Sequence, residues 1–264
     1  MRAKEVYFRC LSNTDIGKCR EENQDAILVR ETVSGNEKVT VACVCDGVGG
    51  LERGSEASRT AVNKLEEWID CELPYLVSDT ETIEKRLRLL VGEINSDLYY
   101  RNIRLGSGSG TTFSAILLGE DHFTVCHAGD SRIYRISEKA EQITEDHSWI
   151  ARQVKSGNMT EDAAARDKRK NVILKCLGVS QSIMPDVFSG FWTAPVSFLL
   201  CTDGFWHCLS EGELTEDFAP GFSSDRTVLE RLTGVVKSRG EADNISVVAI
   251  DIPGDDEIGT LKLD

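Results

Sequence analysis

The feature that most restricts this chain is a set of segments with almost no polar positions. Residues 39–45 read Val-Thr-Val-Ala-Cys-Val-Cys, apolar or β-branched throughout. Side chains along a strand point alternately to opposite faces, so such a strand must be covered on both. Residues 112–118 and 123–128 repeat the pattern across a hairpin-like turn at Gly119, Glu120 and Asp121, and residues 131–136, 197–201 and 245–250 complete the set. Helical periodicity lies elsewhere. Ala57, Ala61, Leu65, Trp68 and Ile69 share one face of 55–70, and Ile83, Leu87, Leu90, Ile94 and Leu98 share one face of 80–100. Ser78 with Glu81 fits a capping box before the second helix. A later helix carries Val228, Leu232, Val235 and Val236, with Gly240 as its stop. This order lacks regular strand–helix–strand alternation. It predicts an α+β fold of antiparallel sheets with helices packed outside.

The 264 residues contain no repeats, no Pro/Gly/Ser-rich linker and only five prolines, so we expect one domain over 1–264. Nine cysteines, an odd number without Cys-x-x-Cys spacing, and a start without an apolar signal core predict reduced thiols in a cytoplasmic protein. No run of 18 apolar residues exists, so no membrane partner is expected. A formal charge of −14 argues against nucleic-acid binding, which needs a basic surface to replace counterions.

Aspartates stand where the apolar strands end. Asp46 closes the first and is followed by Gly47, Val48, Gly49 and Gly50. Asp203 closes Leu199-Leu200-Cys201-Thr202, and Asp130 sits in the tight turn Ala128-Gly129-Asp130-Ser131. Asp243 precedes the last core strand, and Asp25 precedes a strand at 26–29. Any one of them alone reads as a turn cap that hydrogen-bonds its own backbone. Five together are different, because strands of one core bring their ends close. Converging carboxylates repel unless protonated or bridged by cations. Hard divalent cations take oxygen ligands, and the glycine after Asp46 lets a backbone carbonyl approach as one of them. Zinc fits poorly, since none of the four histidines pairs at ligand spacing.

These aspartates belong to longer motifs. Thr14-Asp15-Ile16-Gly17-Lys18-Cys19-Arg20-Glu21-Glu22-Asn23-Gln24-Asp25 comes first, then Asp46-Gly47-Val48-Gly49-Gly50 with residues 54–58, and then Gly110-Thr111-Thr112. Ala128-Gly129-Asp130-Ser131-Arg132-Ile133-Tyr134, Thr144-Glu145-Asp146-His147-Ser148, residues 169–178, Asp203-Gly204 and Asp243-Asn244 follow. In this order, over residues 14–250, they resemble the motifs of the PP2C (PPM) family of metal-dependent protein serine/threonine phosphatases. The resemblance implies a four-layer α-β-β-α sandwich with two central antiparallel sheets, and a flap at about 149–178. It also implies two Mn²⁺ or Mg²⁺ ions. Asp46 would bridge both, Asp203 and Asp243 would complete the first, and the Gly47 carbonyl would bind the second. Asp25 would act through bound waters, and Asp130 with Asp203 would hold a weaker third ion. Arg20 matches the arginine that grips the substrate phosphate, while paired ions activate the attacking water. The implied partners are phosphorylated proteins and an opposing eukaryotic-like Ser/Thr kinase, the implied state a monomer. The form of the motifs looks bacterial.

The chain also departs from the pattern. Val48 stands where many eukaryotic members of the family carry a His proposed as the general acid, one that many bacterial members also lack, and Leu51 stands where His is frequent. His147 reads as part of a helix start, with Asp146 or Ser148 capping 149–157. His207 follows Asp203-Gly204 closely enough to lie near the site, although it reads first as a helix-surface or packed histidine. Gly106-Ser107-Gly108-Ser109-Gly110 lacks the Gly-Lys-Ser/Thr of a phosphate loop and reads as a turn. The basic stretch 163–175 reads as a solvated loop or part of the flap. Three rivals remain: a catalytically dead binding module, a phosphatase of anti-sigma-factor antagonists, and a metal-dependent nuclease. No ligand aspartate is lost, there is no room for a sensor domain, and the acidic balance opposes nucleic acid.

Overall fold

The apolar runs become the inner strands of two five-stranded antiparallel sheets in a computed structural model, which describes residues 7–48, 53–76, 79–222 and 225–254. One sheet contains β1 (Arg9–Asp15), β8 (Arg132–Ile136), β9 (Ala140–Gln142), β11 (Val196–Cys201) and β12 (Ile245–Ile252) in the order β1-β12-β11-β8-β9. The other contains β2 (Ala26–Ser34), β3 (Glu37–Cys45), β6 (Phe113–Leu118), β7 (His122–Ala128) and β10 (Asp186–Phe191) in the order β10-β7-β6-β3-β2. A two-residue ribbon pairs β4 (Gly47–Val48) with β5 (Gly110–Thr111).

Three apolar layers separate four structural ones. Helices α1 (Gly54–Cys71) and α2 (Thr80–Leu105) bury Leu65, Trp68, Ile69, Leu87 and Ile94 against β3 and β6 of the second sheet. Val44, Ile116, Val125, Phe198, Leu200 and Val248 fill the space between the sheets. Helices α5 (Asp203–Trp206), α6 (Glu211–Phe218) and α7 (Thr227–Ser238) cover the first sheet with Phe205, Leu214, Phe218, Leu232 and Val236. This is the expected α-β-β-α sandwich. The strands read as apolar on both faces are the ones between these layers, and β6, β11 and β12 are buried along their whole length.

Several boundaries differ from the sequence reading. Strand β2 runs to Ser34, and β1, β9 and β10 were not anticipated. All four are sheet edges, where the burial that writes an apolar pattern is partial. Helix α2 continues past residue 100 to Gly106, whose φ of +61° ends it in the left-handed conformation that glycine tolerates. Its cap is Asp79, which accepts from the Thr82 N–H at 2.8 Å, while Ser78 lies outside the described residues. Gly49, Gly50 and Leu51 lie outside them too. The helix expected over 149–157 is shorter, α3 (Trp149–Lys155), and is followed by α4 (Glu161–Arg166). Ser148 caps α3 by accepting from Ala151 N–H at 3.2 Å. No described helix is long and apolar enough to cross a membrane.

Candidate metal centre and active site

All five aspartates lie at one end of the sandwich, contributed by both sheets. Asp46 leaves β3, Asp25 enters β2, Asp130 turns the chain from β7 towards β8, Asp203 leaves β11 and Asp243 enters β12. Neighbouring groups fix several of them. The Asp46 N–H donates to Thr112 Oγ1 at 2.8 Å, and its carbonyl accepts from Thr112 N–H at 2.9 Å and Thr111 Oγ1 at 3.0 Å. Gly47 is packed too closely for a side chain: a Cβ there would stand 2.4 Å from the Gly54 backbone and 2.6 Å from the Gln24 carbonyl. Asp25 is 7 % exposed and its Oδ2 accepts from Thr202 Oγ1 at 3.0 Å. The Asp130 carbonyl accepts from Trp206 Nε1 at 3.1 Å, and Arg132 lies over the Trp206 ring while pairing with Asp146.

The carboxylates perturb one another. Burial, then the Asp203 and Asp243 charges, raises Asp25 to about 7. Burial, then Asp203 and Asp146, raises Asp130 to about 8. Asp46, partly open by surface area yet enclosed by other acids, lies well above the usual carboxylate range through burial followed by Asp25, Asp203, Asp130 and Asp243. Asp203 is raised by burial and by Asp243, although His207 opposes this. Mutual perturbation of this kind places the five within electrostatic reach of one point.

Arg20 belongs to the same cluster. Its Nε donates to Asp243 Oδ1 at 2.8 Å and its Nη2 to Oδ2 at 2.6 Å, with half the arginine side chain exposed. Asn244 holds this arrangement, a role the sequence reading missed. Its Nδ2 donates to the carbonyls of Ile16 (2.9 Å) and Glu22 (3.1 Å), and its Oδ1 accepts from Gln24 N–H (2.9 Å), so the loop bearing Arg20 is tied to the turn bearing Asp243. Thr202, whose hydroxyl serves both Asp25 and the Ser246 N–H, was missed as well. Both stand directly beside a motif aspartate, and that adjacency was the available signal.

Among the described residues, no three His, Cys, Asp or Glu side chains stand ready to hold an ion. Asp243 is engaged by Arg20 and Asp25 by Thr202. The donor set nevertheless suits hard cations. Asp25 Oδ1, Asp130 Oδ1 and Asp203 Oδ1 are buried without a hydrogen-bond partner, and a buried carboxylate oxygen left unpaired costs about 1–3 kcal/mol or more. Three such oxygens, with the close-packed Gly47 at the start of the ribbon beside Asp46, form an oxygen-only donor set that divalent cations favour.

A cleft of about 1240 Å³ opens beside Arg20 and Asp243, between α3–α4 on one side and Trp206, Cys208 and residues 239–243 on the other. His207 faces this cleft with Nδ1 4.0 Å from Asp203 and 3.9 Å from Glu241, which places it near the aspartates, the alternative to its reading as a surface or packed histidine. His147 stays outside the cluster, as its helix-start reading expected. Its Nδ1 accepts from Gly129 N–H at 3.1 Å, so Nε2 carries the proton and donates to Asp186 at 3.0 Å, and its ring stacks on His127 at 4.8 Å.

The chain and its fold are similar to those of known proteins. The family described as Protein phosphatase 2C matches residues 19–236. "Serine/threonine phosphatase stp" of Listeria innocua is 30% identical over 245 residues, covering 90% of this chain and 93% of that protein. The structure of the S. agalactiae serine/threonine phosphatase superposes with a TM-score of 0.84 at 27% identity, over 93% of this chain and 100% of the other. The catalytic domain of PstP, solved in complex with two manganese ions, shares the fold with a TM-score of 0.80 at 24% identity, over 95% and 100% of the two chains. The chain belongs to the protein phosphatase 2C family and is a serine/threonine protein phosphatase.

Proposed function

We propose that this phosphatase removes phosphate from phosphoserine and phosphothreonine in proteins with the help of two Mn²⁺ or Mg²⁺ ions. The observation that carries this reading is the set of three unpaired, buried carboxylate oxygens on Asp25, Asp130 and Asp203. Asp46, Asp203, Asp243 and the Gly47 carbonyl would hold the ions, Asp25 would act through water, and Asp130 with Asp203 would take a weaker third. Bound there, the ions would offset the carboxylate repulsion and lower the pKa of a water enough to attack phosphorus at neutral pH. The presence of two manganese ions with the PstP domain supports the choice of metal.

The chain's own groups do the remaining work. Arg20 presents a planar fork that binds two phosphoryl oxygens at once and offsets the charge that builds on them. Asn244 keeps that fork beside the aspartates. Val48 offers no proton where many relatives carry a histidine, so the leaving alkoxide takes its proton from water. The opposing enzyme is a Ser/Thr kinase, and the phosphatase acts as a cytoplasmic monomer. The test is hydrolysis of a phosphothreonine peptide with Mn²⁺ and then with excess EDTA. Turnover abolished by chelation and insensitive to thiol alkylation supports the reading. Undiminished turnover in EDTA refutes it.

A further inference from the structure

The stretch along one side of the cleft has the opposite charge from the rest of the protein. Residues 149–175 carry seven Lys and Arg against three Asp and Glu, a net +4 in a chain of −14. It is not a free loop. Trp149 N–H donates to the Val172 carbonyl at 2.8 Å, Leu174 N–H donates to the His147 carbonyl at 2.7 Å, and Ser148 bridges Ile173. Lys175 donates to Asp186 at 2.7 Å, and the other oxygen of that carboxylate accepts from His147. Both ends of the stretch are therefore pinned to the body of the protein, and its charge is held over the cleft.

Some of its cations are already engaged, Lys155 by Glu145 and Arg169 by Asp167 and the Trp149 ring. Lys170 is not. It lines the cleft, is exposed, and has no carboxylate partner among the described residues. Its charge reaches the Cys208 thiol on the opposite wall, where it works against the rise caused by burial. Acids in the same cleft are largely committed: Asp146 to Arg132, Glu145 to Lys155, and Glu241 Oε1 to the N–H groups of Ala242 and Asp243. Glu161, in the first turn of α4, is the exception. A strongly acidic protein repels an anionic substrate over most of its surface, so a basic face beside the site decides which segments enter and how they are oriented.

We infer that the cleft selects phosphorylated segments with acidic side chains flanking the phospho-residue, and that Lys170 is the specificity-determining contact. This rests on the phosphatase reading of the same site. The experiment compares three phosphothreonine peptides carrying Glu, Ala or Lys on both sides of the phosphothreonine, with the wild-type chain and Lys170→Glu, in Mn²⁺. The wild type should favour the Glu peptide over the Lys peptide by about tenfold in kcat/KM, and the margin should shrink as salt rises. Lys170→Glu should reverse the order. The ratio of two peptides on one preparation is unaffected by how much of that preparation is folded. Equal kcat/KM for the three peptides, or a Glu preference that survives Lys170→Glu, overturns the inference and leaves the phosphatase reading standing. Failure of the wild type to hydrolyse any peptide or p-nitrophenyl phosphate with Mn²⁺ or Mg²⁺ overturns both.

Discussion

Acid should weaken this fold through one buried histidine. His127 is fully buried on β7, where its Nδ1 accepts from Ser114 Oγ at 2.8 Å, so its Nε2 is protonated and donates to the Glu145 carbonyl at 3.0 Å. Burial, then the neighbouring His147, depresses its pKa from 6.5 to about 4. The folded group therefore binds a proton less readily than the unfolded one. Its contribution to stability is complete above pH 6.5 and is lost as pH falls towards 4. With those two values, the unfolded chain gains about 2 kcal/mol relative to the native state between pH 7 and pH 5, and about 3 kcal/mol by pH 4. Asp25 and Asp130, with raised folded pKa values, push in the other direction, contributing below the unfolded carboxylate value and losing that contribution as pH climbs through about 7 and 8. A difference measurement removes them. Urea unfolding of the wild type and His127→Gln in EDTA, at pH 7, 5 and 4, should show the variant less stable at pH 7 and the gap narrowing by those amounts. A gap constant to within about 0.5 kcal/mol would refute the reasoning, since a residue that no longer titrates must remove the slope.

Three further outcomes follow from the site. Asp203→Asn removes a buried charge, so Mn²⁺ affinity measured by calorimetry should fall at least about tenfold and kcat by about two orders of magnitude, with an unchanged circular dichroism spectrum; wild-type affinity would dismiss Asp203 as a ligand. Gly47→Ala places a Cβ against the backbone of Gly54 and Gln24, and should cost about 1–3 kcal/mol in thermal unfolding together with most of the activity. Arg20→Lys keeps the charge but loses the fork, and should lower kcat/KM for a phosphopeptide by about 10- to 100-fold; a loss below about twofold would exclude bidentate phosphate binding.

How much of this could be read in advance depended on burial. Strands such as β3 and β12 lie between packed layers, so nearly every residue is apolar and the pattern is unmistakable. The edge strand β1, with the sequence Arg-Cys-Leu-Ser-Asn-Thr-Asp, buries only Leu11 and carries no such signature. The five aspartates were legible because turn glycines and apolar strands frame them. Their groupings were not, because the approach of Asp25 to Thr202 and of Arg20 to Asp243 spans 177 and 223 residues and depends on how the two sheets face each other. Asn244 is the clearest example: nothing local shows that its amide closes a loop more than 220 residues upstream. Helices α3 and α4 have few buried side chains, and their boundaries were correspondingly vague.

The pairing of β1 also bears on how the enzyme is made. Among the described residues its one strand neighbour is β12, with Arg9 opposite Asp251 and Asp15 opposite Ile245. During synthesis, β1 must therefore wait unpaired for the last core strand while more than two hundred residues are added, and the Arg9–Asp251 ion pair cannot form until then. Asp243 arrives on that same final segment. A nascent chain already holding Asp25, Asp46, Asp130 and Asp203 still lacks the fifth acid and the Asn244 anchor for the Arg20 loop. The aspartate cluster and the anchored Arg20 loop are therefore completed only when β12 joins the sheet.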